Sequence, residues 1–407
     1  MEFNKLPIFE EIRGIPENLF ITGDAAETLA ALREEYAGQA ALMYMDPPFL
    51  TGKRFEARVK VGEAEWRKGN GSLVLNAYED KTDREAYLAY MKRVLLNVKP
   101  LMKPTGLVFV HIDWRMDAYM RLLLDEIFGE KNFLNEIIWT YESGGRAKNF
   151  FSRKHDVILM YSIGAEYDFH PEDVAQLRTA ERSNHMKRMV DEDGRSYRTI
   201  KSNGKIYRYY DDEPVIPSDV WSDIGFLQQK DPQRTGYDTQ KPLALLERIV
   251  KCASRKGDIV LDPFAGSGTT LEAAHRLGRR FIGIDSNPLT AQFVRRRTDN
   301  CRLRPAQNEA QPDLRAEILP LFAGYEAILQ GFSPEPGALS RPVFGLDAVD
   351  SWAAGTIKDG VFTVSAEFLR TQRTPALTTV LNAPLLGGNC ALRISDILGR
   401  DHYYTEV

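Results

Sequence analysis

The residues Asp262-Pro263-Phe264-Ala265-Gly266-Ser267-Gly268-Thr269-Thr270 stand between an apolar run of strand length, DIVLDPF, and a stretch with helical spacing, TTLEAAHRLG. A second apolar run, RRFIGIDS, follows and closes at Asp285. Strand, glycine turn, helix and strand in that order make one βαβ unit, which demands parallel strands with a helix packed across them. Glycines in the turn permit positive φ and close approach of a ligand to the backbone, and the helix start presents N–H groups without intrahelical acceptors. Asp285 lies 17 residues beyond Gly268, close to the ~20-residue offset at which an acid reaches the ribose of a bound nucleoside. A plain tight turn also uses glycines, but the strand, helix and terminal acid in register favour a nucleoside. Leu271 stands where the third glycine of a dinucleotide site would be, and no Gly-Lys-Ser/Thr serves a triphosphate. A nucleoside without a pyrophosphate is therefore expected, S-adenosylmethionine foremost.

The rest of the chain repeats the alternation. LFITG, a helix from Asp24 (AAETLAALREEY) and AALMYM read as strand, helix and strand. An amphipathic helix from Asp83 runs toward Pro104, GLVFVHID is a strand, residues 116–128 a helix, and FLNEIIWTY and HDVILMYS two further strands. This predicts an α/β sheet with helices on both faces. Residues 50–80 read as a mobile loop. Between about 163 and 235 the periodicity fades, and it resumes with the helix QKPLALLERIVKCAS. Asn287 and Pro288 cap a last helix, whose Arg295-Arg296-Arg297 end would complement its dipole. Beyond 302 a linker with one helix, AEILPLFAGYEAIL, precedes a hairpin turning at Asp359-Gly360.

A second turn carries chemistry. Asp46-Pro47-Pro48-Phe49 follows AALMYM, so it sits at the carboxyl end of the sheet, where open α/β folds bind ligands. Two prolines make the turn stiff and set carbonyl acceptors beside a carboxylate and an aromatic ring. Asp46 as a simple cap and Phe49 as core is the alternative. The set matches methylation of an exocyclic amino group, whose lone pair is delocalised into its base. Acceptors at Asp46 and the Pro47 carbonyl would bind both N–H bonds and localise that pair, while Phe49 would stack on an extruded base. The sulfonium methyl is already activated, so the protein supplies alignment and placed charge.

In these residues the chain resembles the amino-group DNA methyltransferases of the permuted, β-class-like kind found in restriction–modification systems, in which the catalytic half precedes the cofactor half. GDAAETLAAL, MDPPF, KHDVILMYS, GYDTQKPLALLERIV, and DPFAGSGTT with FIGIDSNP resemble that family's motifs, in order, over residues 19–300. The resemblance implies a doubly wound, mostly parallel Rossmann-like methyltransferase sheet. It further implies Asp262, Phe264, Ala265, Gly266, Gly268 and Asp285, with Asp24 and Lys241, around S-adenosylmethionine. Thr51-Gly52 resembles a substrate-gating loop. Asp rather than Ser at position 46 resembles the adenine-N6 group, with cytosine-N4 the alternative. Asp238 departs from the family, which commonly has proline there. The implied organisation is a catalytic domain of residues 1–162 and 236–301, a recognition region over 163–235, and a small β-rich α+β domain with its linker helix over 302–407.

Duplex DNA is then the expected partner. With 53 Lys and Arg against 57 Asp and Glu the chain is no bulk polycation, so contact needs a local positive face. GRSYRTIKSNGKIYR, residues 194–208, supplies Arg195, Arg198, Lys201, Lys205 and Arg208 with interleaved Tyr197 and Tyr207 and no acid; a solvated basic hairpin turning at Asn203-Gly204 is the alternative. The tail, nine basic to twelve acidic side chains over 302–407, is a poor DNA clamp, and dimerisation or docking of a restriction subunit is as reasonable a role for it. A non-catalytic DNA- or partner-binding subunit and methylation of structured RNA remain as other classes of function. His111 and His155 read as structural. Three scattered cysteines make neither a disulfide framework nor a zinc site. The absence of an apolar run near the ~20 residues of a membrane helix suits a cytoplasmic protein without membrane contact.

Overall fold

The computed structural model describes residues 9–12, 18–68, 73–80, 82–142, 147–177, 188–298, 301–304, 312–333, 342–384 and 388–405. The first part of the chain forms β1 (Phe9–Ile12), β2 (Leu19–Thr22), α1 (Ala25–Ala31), α2 (Arg33–Tyr36) and β3 (Ala40–Met45). An excursion follows: β4 (Arg54–Val59), α3 (Gly62–Lys68) and β5 (Leu73–Glu79). The sheet resumes with α4 (Arg84–Val98), β6 (Met102–Ile112), α5 (Asp117–Phe128), β7 (Phe133–Thr140) and β8 (His155–Ser162). The middle segment holds the short strands β9 (Gln176–Leu177), β10 (Arg188–Val190), β11 (Ser196–Ser202), β12 (Lys205–Tyr210), β13 (Pro214–Val215) and β14 (Val220–Trp221). Then come α6 (Leu243–Ala253), β15 (Ile259–Asp262), α7 (Thr269–Arg276), β16 (Arg280–Asp285), α8 (Leu289–Arg297) and β17 (Arg302–Arg304). Among the described residues the tail is strands with one 3-10 turn, Gly345–Ala348: β18 (Asp313–Leu321), β19 (Gly324–Ser333), β20 (Val349–Lys358), β21 (Val361–Leu369), β22 (Val380–Ala383), β23 (Asn389–Asp396) and β24 (Asp401–Thr405).

One sheet carries the molecule, in the order β14-β7-β8-β6-β3-β15-β16-β2-β17-β1-β21-β20-β23-β24. From β6 to β17 every neighbour is parallel, while β7 and β8 run antiparallel at one flank. The central strands are apolar on both faces because both are covered. Met43, Met45, Val108, Val110 and Leu261 pack against α1, α4 and α5 on one side; Leu42, Phe109, Val260 and Phe281 pack against α6 and α7 on the other. The expected α/β architecture is what forms.

Three local expectations are corrected. AEILPLFAGYEAIL is no helix: it is the hairpin β18–β19, whose edge strand tolerates Pro320 because an edge needs no ladder N–H there. Residues 50–80 are not a plain loop, since β4 and β5 pair and share a core with the tail through Ala57, Val59, Leu73, Tyr325 and Trp352. The helix from Asp83 ends at Val98, and Pro104 lies inside β6. The turns at Asn203-Gly204 and Asp359-Gly360 form as expected, all four residues at positive φ.

The arginine run at the end of α8 does more than face a helix dipole. Arg296 pairs with Asp350, Arg297 with Glu272, and Arg295 makes a two-pronged contact to Asp401 (3.1 and 2.5 Å), both side chains wholly buried. α8 is thereby pinned to the tail. Burial alone would raise the Asp401 carboxyl, but Arg295 and Arg393 outweigh it and hold it below the usual carboxylate range. That stability is present above the unfolded-state pKa and is lost as pH falls through the folded one. Arg295→Ala should cost about 3–5 kcal/mol in urea unfolding, because the buried Asp401 would lose its two-pronged partner and keep only Ser395 and the more distant Arg393, whereas Arg295→Met combined with Asp401→Leu should cost far less.

Candidate active site

β3 and β15 are adjacent and parallel, with Leu42 opposite Val260 and Met43 opposite Leu261. Neighbouring strands lie about 5 Å apart, so whatever leaves their carboxyl ends emerges side by side. Asp46-Pro47-Pro48-Phe49 leaves β3, Asp262 ends β15 and leads into the glycine turn, and Asp285 ends β16 one strand further on. They meet at one cavity of about 370 Å³, whose wall includes Asp46, Pro48, Asp262, Phe264, Ala265, Gly266 and Asp285.

The glycine turn is shaped by contacts on both sides. Gly266 has φ +52°, and a Cβ there would lie 3.5 Å from the Tyr237 ring that roofs it. Gly268, at φ +76°, precedes the first residue of α7 and stays behind the cavity wall. The Gly266 N–H donates to Asp285 Oδ2 (2.7 Å) and the Asn287 N–H to Oδ1 (2.8 Å), fixing the carboxylate while each oxygen keeps a lone pair for a ligand hydroxyl. The room that dinucleotide folds make with a third glycine on the helix is made here on the strand. A Cβ on Gly283 would fall 2.5 Å from Leu271, so the bare strand accepts the leucine.

The cavity is acidic and aromatic. Asp46, Asp80, Asp262 and Asp285 face it, against one ammonium among the described residues, that of Lys241, and Tyr44, Tyr78, Tyr87, Tyr90 and Tyr237 line it. Burial pushes the Asp262 carboxyl up to about 7, against hydrogen bonds from Thr270 and the Phe264 N–H, with Asp46 and Asp285 adding repulsion. Burial raises Asp285 as well. Such a surplus of buried acid needs a cation. S-adenosylmethionine brings a sulfonium and an ammonium group together with a ribose and a base, so its charge and its rings complement this wall.

Lys241 lies on the cavity wall with the expected cofactor residues and also makes a contact the sequence did not suggest. Its Nζ sits 2.5 Å from Asp46 Oδ2 and 5.1 Å from the centre of the Phe49 ring, so it orients the acid of the Asp-Pro-Pro-Phe turn. Asp46 Oδ1 has no partner among the described residues. Asp24 is not on the cavity wall: it caps α1 through the Glu27 N–H and accepts from Tyr90 Oη (2.8 Å), one side chain behind. Phe49 is half-buried and stacks on His111 (centroids 5.9 Å, 26° between planes). His111 is the satisfied structural histidine expected, buried between Tyr44 Oη (2.9 Å) and Asp156 Oδ2 (3.2 Å). Tyr141 Oη donates to the other Asp156 oxygen (2.8 Å), so the turn rests on a closed polar network.

Asp80 is the residue sequence reasoning missed. It ends the excursion that returns to the sheet, is buried, and accepts from the Leu50 N–H (2.8 Å), Thr51 N–H (2.6 Å) and Thr51 Oγ1 (2.8 Å). The segment after the Asp-Pro-Pro-Phe turn, with Leu50 at φ +58°, is clamped there. The cavity tyrosines were missed too, because they are gathered from β3, β5, α4 and the loop before α6. Asp238, the departure from the family pattern, exchanges hydrogen bonds with Glu56 of β4: its N–H donates to Glu56 O (3.2 Å) and its Oδ2 accepts the Glu56 N–H (3.1 Å). A proline could make neither.

The model of the family described as DNA methylase, that of the N6 and N4 enzymes, matches residues 40–294, more than half of the chain. The chain belongs to this family. The methylase uses S-adenosylmethionine, and its cavity has the charge and shape for it. It is 29% identical over 326 residues to the Type II methyltransferase M.EcaI of Enterobacter cloacae, covering 69% of each chain. It is 27% identical over 315 residues to the DNA adenine methyltransferase YhdJ of Escherichia coli, covering 72% of this chain and 93% of that one. The solved Thermus thermophilus protein TTHA0409, in complex with S-adenosyl-L-methionine, is 21% identical, with 72% of this chain and all of that one covered and a TM-score of 0.43.

The basic segment of the methylase forms the sheet β10-β11-β12, apart from the central sheet. Arg195 is engaged with Asp212 (2.8 Å), and Arg198 lies 3.7 Å from Asp211, so acids outside the 194–208 window take up part of its charge. Lys201 and Lys205 flank the exposed turn, and Arg208 sits over the Tyr197 ring. No helix among the described residues is long and apolar enough to cross a membrane.

Gly266→Val should lose S-adenosylmethionine binding in calorimetry while the far-ultraviolet circular dichroism stays that of the parent, because the branched side chain meets Tyr237 and the φ is unfavourable. Asp262, with its raised pKa, makes the ligand-free protein less stable as pH climbs from about 4 to about 7, since the folded chain then holds the proton that the unfolded chain has lost. Asp262→Asn should remove that part of the decline in thermal melts across the same range.

Proposed function

We propose that this chain methylates the N6 amino group of adenine in duplex DNA, with the target base extruded to the Asp46-Pro47-Pro48-Phe49 turn. One observation carries the reading: the acid of that turn and the cofactor-binding acid Asp285 face the same cavity. Lys241 occupies Asp46 Oδ2 and leaves Oδ1 to accept an N–H of the target amine. The Pro47 carbonyl takes the second N–H. Two acceptors below an amine draw it out of conjugation and turn its lone pair toward the methyl donor. The bound cofactor supplies an activated methyl group. The chain holds the amine in line, and Asp80 keeps the loop after the turn ordered beside it. Phe49, supported by His111, provides a flat apolar surface for the base.

Adenine is favoured by aspartate at position 46 and by the relative named as a DNA adenine methyltransferase. Backbone phosphate would be taken by the basic hairpin with Lys201, Lys205 and Arg208, a reading supported by the exposure of its two strands. We also infer that the chain works beside a restriction endonuclease, a reading supported by relatives named as Mod subunits of restriction–modification enzymes.

Asp46→Ala should abolish methyl transfer, by at least about a hundredfold on the scale of removing a placed charge-stabilising group, while S-adenosylmethionine still binds in calorimetry. Nucleoside digestion of DNA methylated by the parent should yield N6-methyladenine. N4-methylcytosine alone would replace adenine with cytosine as the substrate, and transfer to RNA but not DNA would overturn the reading altogether.

A further inference from the structure

The carboxyl edge that bears the catalytic turn also bears a cluster of exposed aromatic side chains. β6 runs parallel to β3 with Val110 opposite Met45, and β8 runs antiparallel to β6 with Val157 opposite Ile112. The residues just after β6 and just before β8 thus flank the same edge as Asp46. Trp114 there is 40% exposed, and on the segment before β8 Phe150 is 60% and Phe151 97% exposed. The Arg153 guanidinium lies 3.7 Å from the centre of the Trp114 ring and 4.8 Å from that of Phe150. Arg153 is exposed and has no carboxylate partner among the described residues, unlike Arg115, which pairs with Asp113.

Exposed rings, Phe151 above all, are costly to leave in water, and the Arg153 guanidinium has ring faces beside it but no opposite charge among the described residues. The guanidinium is built for a phosphate, and the rings for the faces of bases. Their position beside the turn that receives the extruded base selects the occupant. A duplex that gives up one base leaves a gap in its stack, and an apolar side chain inserted there offsets the unstacking cost.

We propose that this face is a second DNA contact, in which Phe151 enters the stack at the place vacated by the target base and Arg153, held over Trp114, takes a neighbouring backbone phosphate. The proposal rests on the reading of the chain as a DNA methyltransferase that extrudes its target. It assigns to the segment before β8 a task separate from that of the basic hairpin.

The test uses the full chain, duplexes carrying the sequence that the parent methylates, and the same duplexes with an abasic site opposite the target base. Phe151→Ala should slow single-turnover methylation of the paired duplex about tenfold, on the scale of one stacking contact, and regain most of the rate on the abasic duplex, where extrusion costs little. Phe151→Trp should stay near the parent. Arg153→Ala should weaken binding to both duplexes and reduce the salt dependence of binding by about one ion. Parent-like rates and affinities in the alanine variants would overturn the proposal, as would an equal loss by Phe151→Ala on paired and abasic duplexes. If the parent itself transfers no methyl group to DNA, it is the underlying functional reading that fails, and S-adenosylmethionine binding by each variant shows that the fold is kept.

Discussion

The parallel pairing of β3 with β15 is the constraint on which the site depends. The two strands are separated by more than two hundred residues of sequence, yet they lie side by side at the middle of the sheet. Because parallel strands end at the same edge, the turn after one and the turn after the other are brought to a single opening. Asp46 and Asp262 come together through strand order alone. The cavity between them is lined from both parts of the chain.

That edge concentrates acid, and the protein manages it unevenly. Asp46 is joined to Lys241, Asp285 is tied to two backbone N–H groups, and Asp80 is spent on the loop after the catalytic turn. Asp262 is left with the largest penalty, and its raised pKa is the mark of a site whose charge is incomplete without a cationic ligand. Stability given up here is offset elsewhere, in the apolar faces on both sides of the sheet and in the buried contacts that join α8 to the tail. The tail therefore supports the cofactor half from behind: the helix that follows Asp285 is the helix that Arg295 anchors.

The central strands were legible because they are apolar runs, several of them closed by proline or glycine, and the two hairpin turns because Asn-Gly and Asp-Gly accept positive φ. The Asp-Pro-Pro-Phe and glycine turns could be located from sequence because their residues are local, and strand order brings both to one cavity. The hairpin β18–β19 was read as a helix because Ala, Leu, Ile and Glu favour helices in isolation; pairing with β22 and burial beside Trp352 decided otherwise. The alternation in LVLNAYE was the signal for β5 that went unused. No local pattern marks Asp80, or the contact of Arg295 with Asp401 across 106 residues, since both take their meaning from partners that only the fold supplies. Lys241 shows the same limit: its motif identified the residue, but only the geometry assigned it to Asp46.

The most direct measurement is a crystal structure of the chain with S-adenosylhomocysteine and a duplex bearing its target sequence. The site geometry requires the ribose on Asp285, the sulfur in the cavity shared with Asp46, and the target amine about 3–3.5 Å from the place of the transferred methyl carbon. Cofactor density away from that cavity, or a target amine held far from Asp46, would contradict it.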